Sequence, residues 1–281
     1  MKQWILWTIF SILLFTNNLY PVATLFPDKK PIINQHTTLF NSFQGLDVSY
    51  FNSLSDSGQY LVAHFSIKSV LLHIQSNDRL EMDFLVLGRV DSRFRLFSES
   101  FNQIHTDYVG GLGFDIRYQD FIFETVFYHT SSHLGDDAIV LENETYINAG
   151  WEAIRHYINY QKKDWLLLSL GFEYKAAQRP ANINPSRFTL LLGVLISFLD
   201  YDVPIFIESE GEFLKPGYGP NVGVKVGLYL HYLVNNLLMG REVLGKERHI
   251  LFLQYYNGYS RIGYQANRKE NMFIIGRTFR F

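Results

Sequence analysis

From about residue 40 to the C-terminus, apolar residues recur at every second position. That is the period of a β-strand with two unlike faces, not of a helix. Leu166, Leu168, Leu170, Phe172 and Tyr174 share one face, against Leu167, Ser169, Gly171, Glu173 and Lys175. Val222, Val224, Val226 and Leu228 alternate with Gly223, Lys225, Gly227 and Tyr229. Gly110, Leu112, Phe114, Ile116 and Tyr118 alternate with Gly111, Gly113, Asp115 and Arg117, and Phe188, Leu190, Leu192, Val194 and Ile196 form another apolar row. One face is consistently greasy; the other carries charge, glycine and tyrosine.

The pattern predicts strands near 41–52, 59–74, 79–96, 104–118, 120–131, 142–158, 164–175, 185–198, 203–213, 220–233, 246–258 and 270–281. Most exceed the usual five or six residues of a globular strand and suit tilted strands that cross a bilayer. Their connections alternate in length. Gln75 to Asp78, Tyr118 to Asp120, Gln161 to Lys163 and Asp200 to Asp202 read as tight turns, with longer segments at 97–103, 132–141, 176–184 and 259–269. The stretch 234–245 is too long for this rule. Short turns at one end and long loops at the other predict an all-β chain: a transmembrane, antiparallel, up-and-down β-barrel of about 12 strands.

The ends of the chain fit that reading. Lys2 precedes a 12-residue apolar run, Trp4 to Phe15, too short to span a bilayer as a helix and patterned like a secretory signal. The division expected is a signal peptide over 1–23, a periplasmic lead-in over 24–40 and a barrel over 41–281, with Ala23 the candidate cleavage point. At the other end, Gly276, Phe279 and the terminal Phe281 resemble the signal read by the barrel-assembly machinery, an expected partner. The outer membrane of a Gram-negative-type bacterium, and its lipids, follow as the expected location and surroundings.

Composition adds exclusions. The chain has no cysteine, which removes thiolate metal sites and cysteine nucleophiles. A formal net charge of −2 gives no electrostatic case for nucleic acid. Mean hydropathy of −0.03 is what alternation yields when greasy and polar faces average out.

Chemistry concentrates in Phe121 to Asp137. Alternation puts Phe121, Phe123, Thr125, Phe127, His129 and Ser131 on the lipid side. On the following strand it puts Asn143, Thr145, Ile147, Ala149, Trp151 and Ala153 there too, with Glu144 and Glu152 pointing inward. If Ser131 pairs across from Asn143, then His129 pairs across from Thr145, and His129, Ser131 and Asn143 lie within one or two pleats. Serine needs a base to act as a nucleophile, and the base needs a third group to fix its tautomer.

His-x-Ser with a polar residue 12 positions on resembles the outer-membrane phospholipase A family, whose His, Ser and Asn sit on the barrel exterior. It is also similar to the outer-membrane lipid A deacylases, which use Glu as the third member. The resemblance implies His129 as base, Ser131 as nucleophile and Asn143 as orienter. Ser132-His133 follows the serine where the phospholipase has Asn-Gly. No cofactor is established by the sequence; calcium is implied only with the hydrolase reading, with Asp136 and Asp137 as candidate ligands.

A wider resemblance rests on three blocks: Asp107 to Gly113, Tyr128 to Asp136, and Gln254 to Ser260. In order and spacing they resemble the bacterial outer-membrane family called domain of unknown function 1207, over about residues 90–281. That family implies fold and location and assigns no reaction. Inward acids at Glu208, Glu210 and Glu212 would favour cations in a narrow pore or pair with basic neighbours in a closed lumen. Two classes of function therefore stand: a structural or narrow-pore barrel, and an interfacial lipid ester hydrolase.

Overall fold

The structure, a computed structural model, describes residues 22–25, 45–54, 58–77, 79–97, 102–141, 149–163, 165–181, 186–198, 205–215, 218–230, 249–260, 266 and 268–279. In chain order these form strands β1 (Val22–Leu25), β2 (Gly45–Ser53), β3 (Gln59–Asn77), β4 (Leu80–Arg95), β5 (Asn102–Tyr118) and β6 (Phe121–Leu134). A short helix α1 (Asp136–Leu141) follows. Then come β7 (Ala149–Lys162), β8 (Leu166–Arg179), β9 (Phe188–Ser197), β10 (Ile205–Phe213), β11 (Asn221–Tyr229), β12 (His249–Tyr259) and β13 (Lys269–Phe279).

Strands β2 to β13 run round a ring, each antiparallel to the next, and β13 pairs with β2 from Leu46 to Ser53 to close it. The result is a closed 12-stranded antiparallel barrel, as the alternation predicted. β1 is an addition. It pairs with Leu72–Gln75 of β3, beyond Ser66 where β2 leaves that strand, so β1 and β2 occupy one seat in the wall. The lead-in expected over 24–40 thus begins with the end of a strand, and that strand starts at Val22, inside the segment expected to be a signal. Residues 1–21, most of the segment expected to be a signal, and residues 26–44 lie outside the described residues, as does the long 234–245 connection.

Burial follows the alternation. On β8 the odd residues Leu167, Ser169 and Glu173 are buried, while Leu168, Leu170, Phe172 and Tyr174 are exposed. On β11, Val222, Val224 and Val226 face out. Exposed apolar rows round a closed ring leave one place for polar side chains, the lumen. The inner wall is crowded enough that some of its glycines are required. A Cβ on Gly227 would lie 2.1 Å from the Phe206 ring, and one on Gly171 would lie 2.5 Å from the Tyr157 ring. These bare positions let aromatic rings lie flat against the inner wall.

Two arrangements occupy the lumen toward the short-turn end. One is apolar: Leu167, Leu195, Phe206, Tyr229 and Ile250 pack together. The other is ionic. Lys68 Nζ donates to Asp115 Oδ2 at 3.0 Å and to Glu124 Oε2 at 2.9 Å, all three almost fully buried. Beside them His73 Nδ1 lies 2.7 Å from Asp83 Oδ1. Buried charges are tolerated because they are paired, and removing one partner strands the rest.

Lys68→Ala should therefore destabilise the barrel by about 3–5 kcal/mol, read as a lower urea midpoint for refolded protein in detergent. Adding Asp115→Asn and Glu124→Gln to Lys68→Met should recover most of that loss. A Lys68→Ala barrel as stable as the wild type would contradict the pairing.

Candidate functional site

The outer wall of β6 changes character along its length. Phe121, Phe123 and Phe127 are exposed apolar residues; His129, Ser131 and His133 continue the same row toward the long-loop end. Within the apolar part, Thr125 Oγ1 lies 2.8 Å from His156 Nδ1, whose ring packs 4.7 Å from Phe172. The polar pair is satisfied in place.

The register fixes what surrounds the three polar residues. On β5, Tyr108 lies opposite Ser131, Gly110 opposite His129 and Thr106 opposite His133. On β7, Gly150 lies opposite Ser131 and Glu152 opposite His129. Directly opposed residues share a face, so all of these belong to the outer wall. The two glycines leave Ser131 and His129 unscreened from either side. A Cβ on Gly110 would meet nothing within 4 Å, and one on Gly150 would lie 2.9 Å from the Thr130 backbone oxygen and 3.8 Å from His129 Cε1.

Ser131 Oγ lies 2.8 Å from His133 Nε2. The His133 ring stands edge-on to Tyr108, centroids 5.8 Å apart. His129, the base implied by the resemblance, turns the other way: its Nδ1 is 3.8 Å from Glu152 Oε1, both side chains largely exposed. At that distance the contact is electrostatic rather than a hydrogen bond.

The expected reading of the next strand needs correction. Ser131 opposes Gly150, not Asn143, and His129 opposes Glu152, not Thr145. The six residues of α1 occupy part of the interval, and β7 begins only at Ala149. Asn143 and Glu144 lie outside the described residues. The faces of β7 are the reverse of those expected: Glu152 is on the outer wall, while Trp151 and Ala153 face inward with Thr130 and Tyr128. The apolar positions of this strand turn inward because the lumen at this level holds a cavity of about 290 Å³, which Trp151 lines.

Glu208, Glu210 and Glu212 share one face of β10. Glu208 and Glu210 are buried, Lys225 Nζ approaches Glu208 Oε2 at 3.7 Å, and Asn221 Nδ2 donates to Glu212. Among the described residues no group of three or more His, Asp or Glu side chains is set to hold a metal ion. Asp136 is exposed on the first turn of α1, and the Asp137 side chain is not described.

Sequence reasoning missed a second serine–histidine contact, on the inner wall. His105 Nε2 lies 2.7 Å from Asp107 Oδ1 and 2.9 Å from Ser132 Oγ, with all three residues buried. A single ring nitrogen meets both partners here. A catalytic imidazole needs one nitrogen for the serine proton and the other for the carboxylate, so this trio works as a clasp between β5 and β6. Its only sequence signal was the alternation that puts Asp107 and Ser132 on the inward face.

A closed ring with an apolar exterior and an ion-paired lumen is an outer-membrane β-barrel fold. Solved structures agree. The Escherichia coli outer membrane phospholipase A is similar with a TM-score of 0.60 at 12% identity, covering 84% of this chain and 96% of its own. The Salmonella typhi outer membrane phospholipase dimer, solved with bound calcium, gives 0.60 at 13% identity, covering 87% of this chain and 94% of its own. The chain belongs to the family described as a protein of unknown function, DUF1207, whose model matches residues 65–281. No curated protein matches.

The absence of cysteine makes the register directly testable. His129→Cys with Glu152→Cys should crosslink on mild oxidation, since directly opposed Cβ atoms lie about 4.5–5.5 Å apart. His129→Cys with Thr145→Cys should not. The reverse result would restore the register expected from sequence.

Proposed function

We propose that the protein is an interfacial ester hydrolase of outer-membrane lipids, with Ser131 as nucleophile and His133 as general base. The observation that carries this reading is the 2.8 Å contact between Ser131 Oγ and His133 Nε2 on the outer wall, where exposed phenylalanines give way to polar residues. An acyl chain lying against Phe127 would bring its ester to this level, and Gly110 and Gly150 leave room for it. The barrel fold supports a location in the outer membrane of a Gram-negative-type bacterium, and the apolar run Trp4 to Phe15 after Lys2 is proposed as the export signal. The barrel-assembly machinery is the partner proposed for insertion.

The chemistry follows from the geometry. With Nε2 of His133 unprotonated, Ser131 Oγ–H donates to it. As Oγ attacks the acyl carbonyl, the proton passes to Nε2 and the carbonyl electrons move onto oxygen. Collapse of the tetrahedral species expels the alcohol, which takes the proton back from the imidazolium. Water repeats the sequence on the acyl-serine and releases the fatty acid. Asn143 is proposed as an orienter by resemblance alone. His129, one pleat from the same serine, is turned away from it toward Glu152.

Ser131→Ala and His133→Ala should each lower ester release from labelled phospholipid or lipopolysaccharide in mixed micelles by about 10³-fold or more. His129→Ala should cost less than about tenfold, the low end of what a general acid–base group contributes. If His129→Ala proves as damaging as Ser131→Ala while His133→Ala does not, the base has been misassigned. Wild-type protein inert toward these esters, with calcium and with chelator, would end the hydrolase reading.

The lumen favours a closed barrel over a cation pore, because Glu208 and Glu210 are buried in the wall rather than exposed along a path. Planar-bilayer recordings should show no conductance steps for the wild type and no change with Glu210→Gln. Steady cation-selective steps that weaken in Glu210→Gln would support the pore instead.

A further inference from the structure

The outer wall differs on the two sides of Ser131. On β5 the residue opposite is Tyr108, with Val90 of β4 beyond it. On β7 the residue opposite is Gly150, and opposite Gly150 on β8 stands Arg179. Directly opposed residues share a face, so Val90, Tyr108, Ser131, Gly150 and Arg179 form one row on the outer wall. Burial on β8 agrees: Ala177 and Arg179 are exposed, and Gln178 between them is buried.

Arg179 carries the one charge in that row. On this face the described acid nearest to it in register is Glu152, one row deeper and opposite Ala177. Glu152 Oε1 lies 3.8 Å from His129 Nδ1. Among the described residues no carboxylate forms an ion pair with Arg179. Gly150 has no side chain, so no side chain of β7 stands in this row between Ser131 and Arg179. Two strand spacings separate their backbones, about 10 Å. An extended arginine can cover most of that span, and the serine hydroxyl covers part of it from the other end.

The row lies where the exposed phenylalanines of β6 have given way to polar residues, the level of lipid headgroups. What a membrane offers a cation at that level is phosphate. A guanidinium meets phosphate oxygens with two parallel N–H donors, which an ammonium cannot do. In glycerophospholipids and in phosphorylated acyl sugars, a phosphate and an acyl ester sit on adjacent carbons. This row presents the complementary pair, a cation on one side of a bare position and a serine on the other.

We propose that Arg179 is a specificity-determining residue of the outer-wall site: it binds the phosphate of a lipid whose neighbouring acyl ester lies at Ser131. It thereby directs the headgroup toward β8 and ranks phosphate-bearing lipids above neutral glycerides. The ester half of this rests on the hydrolase reading; the phosphate half rests on the register and on an uncancelled charge.

The test compares wild type, Arg179→Gln and Arg179→Lys in nonionic detergent. Dioctanoyl phosphatidic acid and monophosphoryl lipid A are the phosphate-bearing probes, and dioctanoylglycerol is the neutral one. Ester release is read directly, and equilibrium binding is read with Ser131→Ala added to each form. The wild type should favour at least one phosphate-bearing lipid over the diglyceride, and the favoured one names the source of the phosphate. Arg179→Gln should reduce that preference about tenfold or more, the loss of one charge-assisted contact. Arg179→Lys should recover part of it, because it keeps the charge and loses the fork. An arginine that only anchored the wall at the membrane surface would leave the preference unchanged. Ester release with a phosphate preference that survives Arg179→Gln, or with no such preference in the wild type, would overturn the proposal and leave the hydrolase reading intact. Phosphate-dependent binding that is lost in Arg179→Gln, without any ester release, would support the phosphate site and end the hydrolase reading. Displacement of the bound lipid by equimolar inorganic phosphate would mark a site for the free anion and overturn the lipid assignment.

Discussion

Closure of the hydrogen-bonded ring is the constraint on which the rest of this molecule depends. With β13 paired to β2, no barrel strand presents a free edge along its paired length, and backbone polar groups are satisfied within the wall. Closure also divides the side chains strictly in two, since strand alternation sends each one either outward or into the lumen. Every inward charge must then find its partner among the other inward residues. The Lys68–Asp115–Glu124 cluster and the Arg155–Glu173 pair are consequences of that confinement. A soluble two-layer sheet could turn the same residues to water.

Neighbouring residues on β6 show how fully the wall separates its two faces. Thr130 and Ser132 look into the lumen; Ser131, between them, meets His133 on the outside. The proposed lipid site and the lumen cavity thus sit back to back on one strand, through a wall a single residue thick. What joins them is register. Tyr108–Ser131–Gly150 is one row on the outer face, and Thr130–Trp151–Gln178 is the adjacent row on the inner face.

Much of this was legible in the sequence, for a physical reason. On β5, β8 and β11 most outward residues are long and apolar while glycine and charge fall on the inward face, so period and phase are both visible. β7 is different. Its inward residues Ala149, Trp151 and Ala153 face a cavity and are apolar, whereas outward Glu152 stands at the polar end of the wall beside His129. There hydrophobicity reports depth and lumen filling rather than face, and the phase inverts. Helix α1 was missed because six residues, Asp136–Leu141, are too few to show a helical period. Ser131 stood out in the sequence, but the side chain it contacts did not. Two histidines flank Ser131 symmetrically in sequence, and only side-chain geometry shows which one turns toward it. The inward placement of Trp151 was invisible as well, since it depends on the inverted phase of β7.

The central claim, that this closed wall fixes which residues face lipid and which face the lumen, is tested most directly by spin-label scanning of β6 and β7. Nitroxides placed singly along 126–133 and 149–158 would be compared for collision with oxygen, which concentrates in the hydrocarbon, and with a water-soluble nickel chelate. The account predicts a two-residue period on both strands, with 127, 129 and 131 in phase with 150, 152 and 154 on the lipid side. Residues 128, 130, 151 and 153 should be shielded from oxygen. Lipid exposure at 151 and 153, or no two-residue period on either strand, would contradict it.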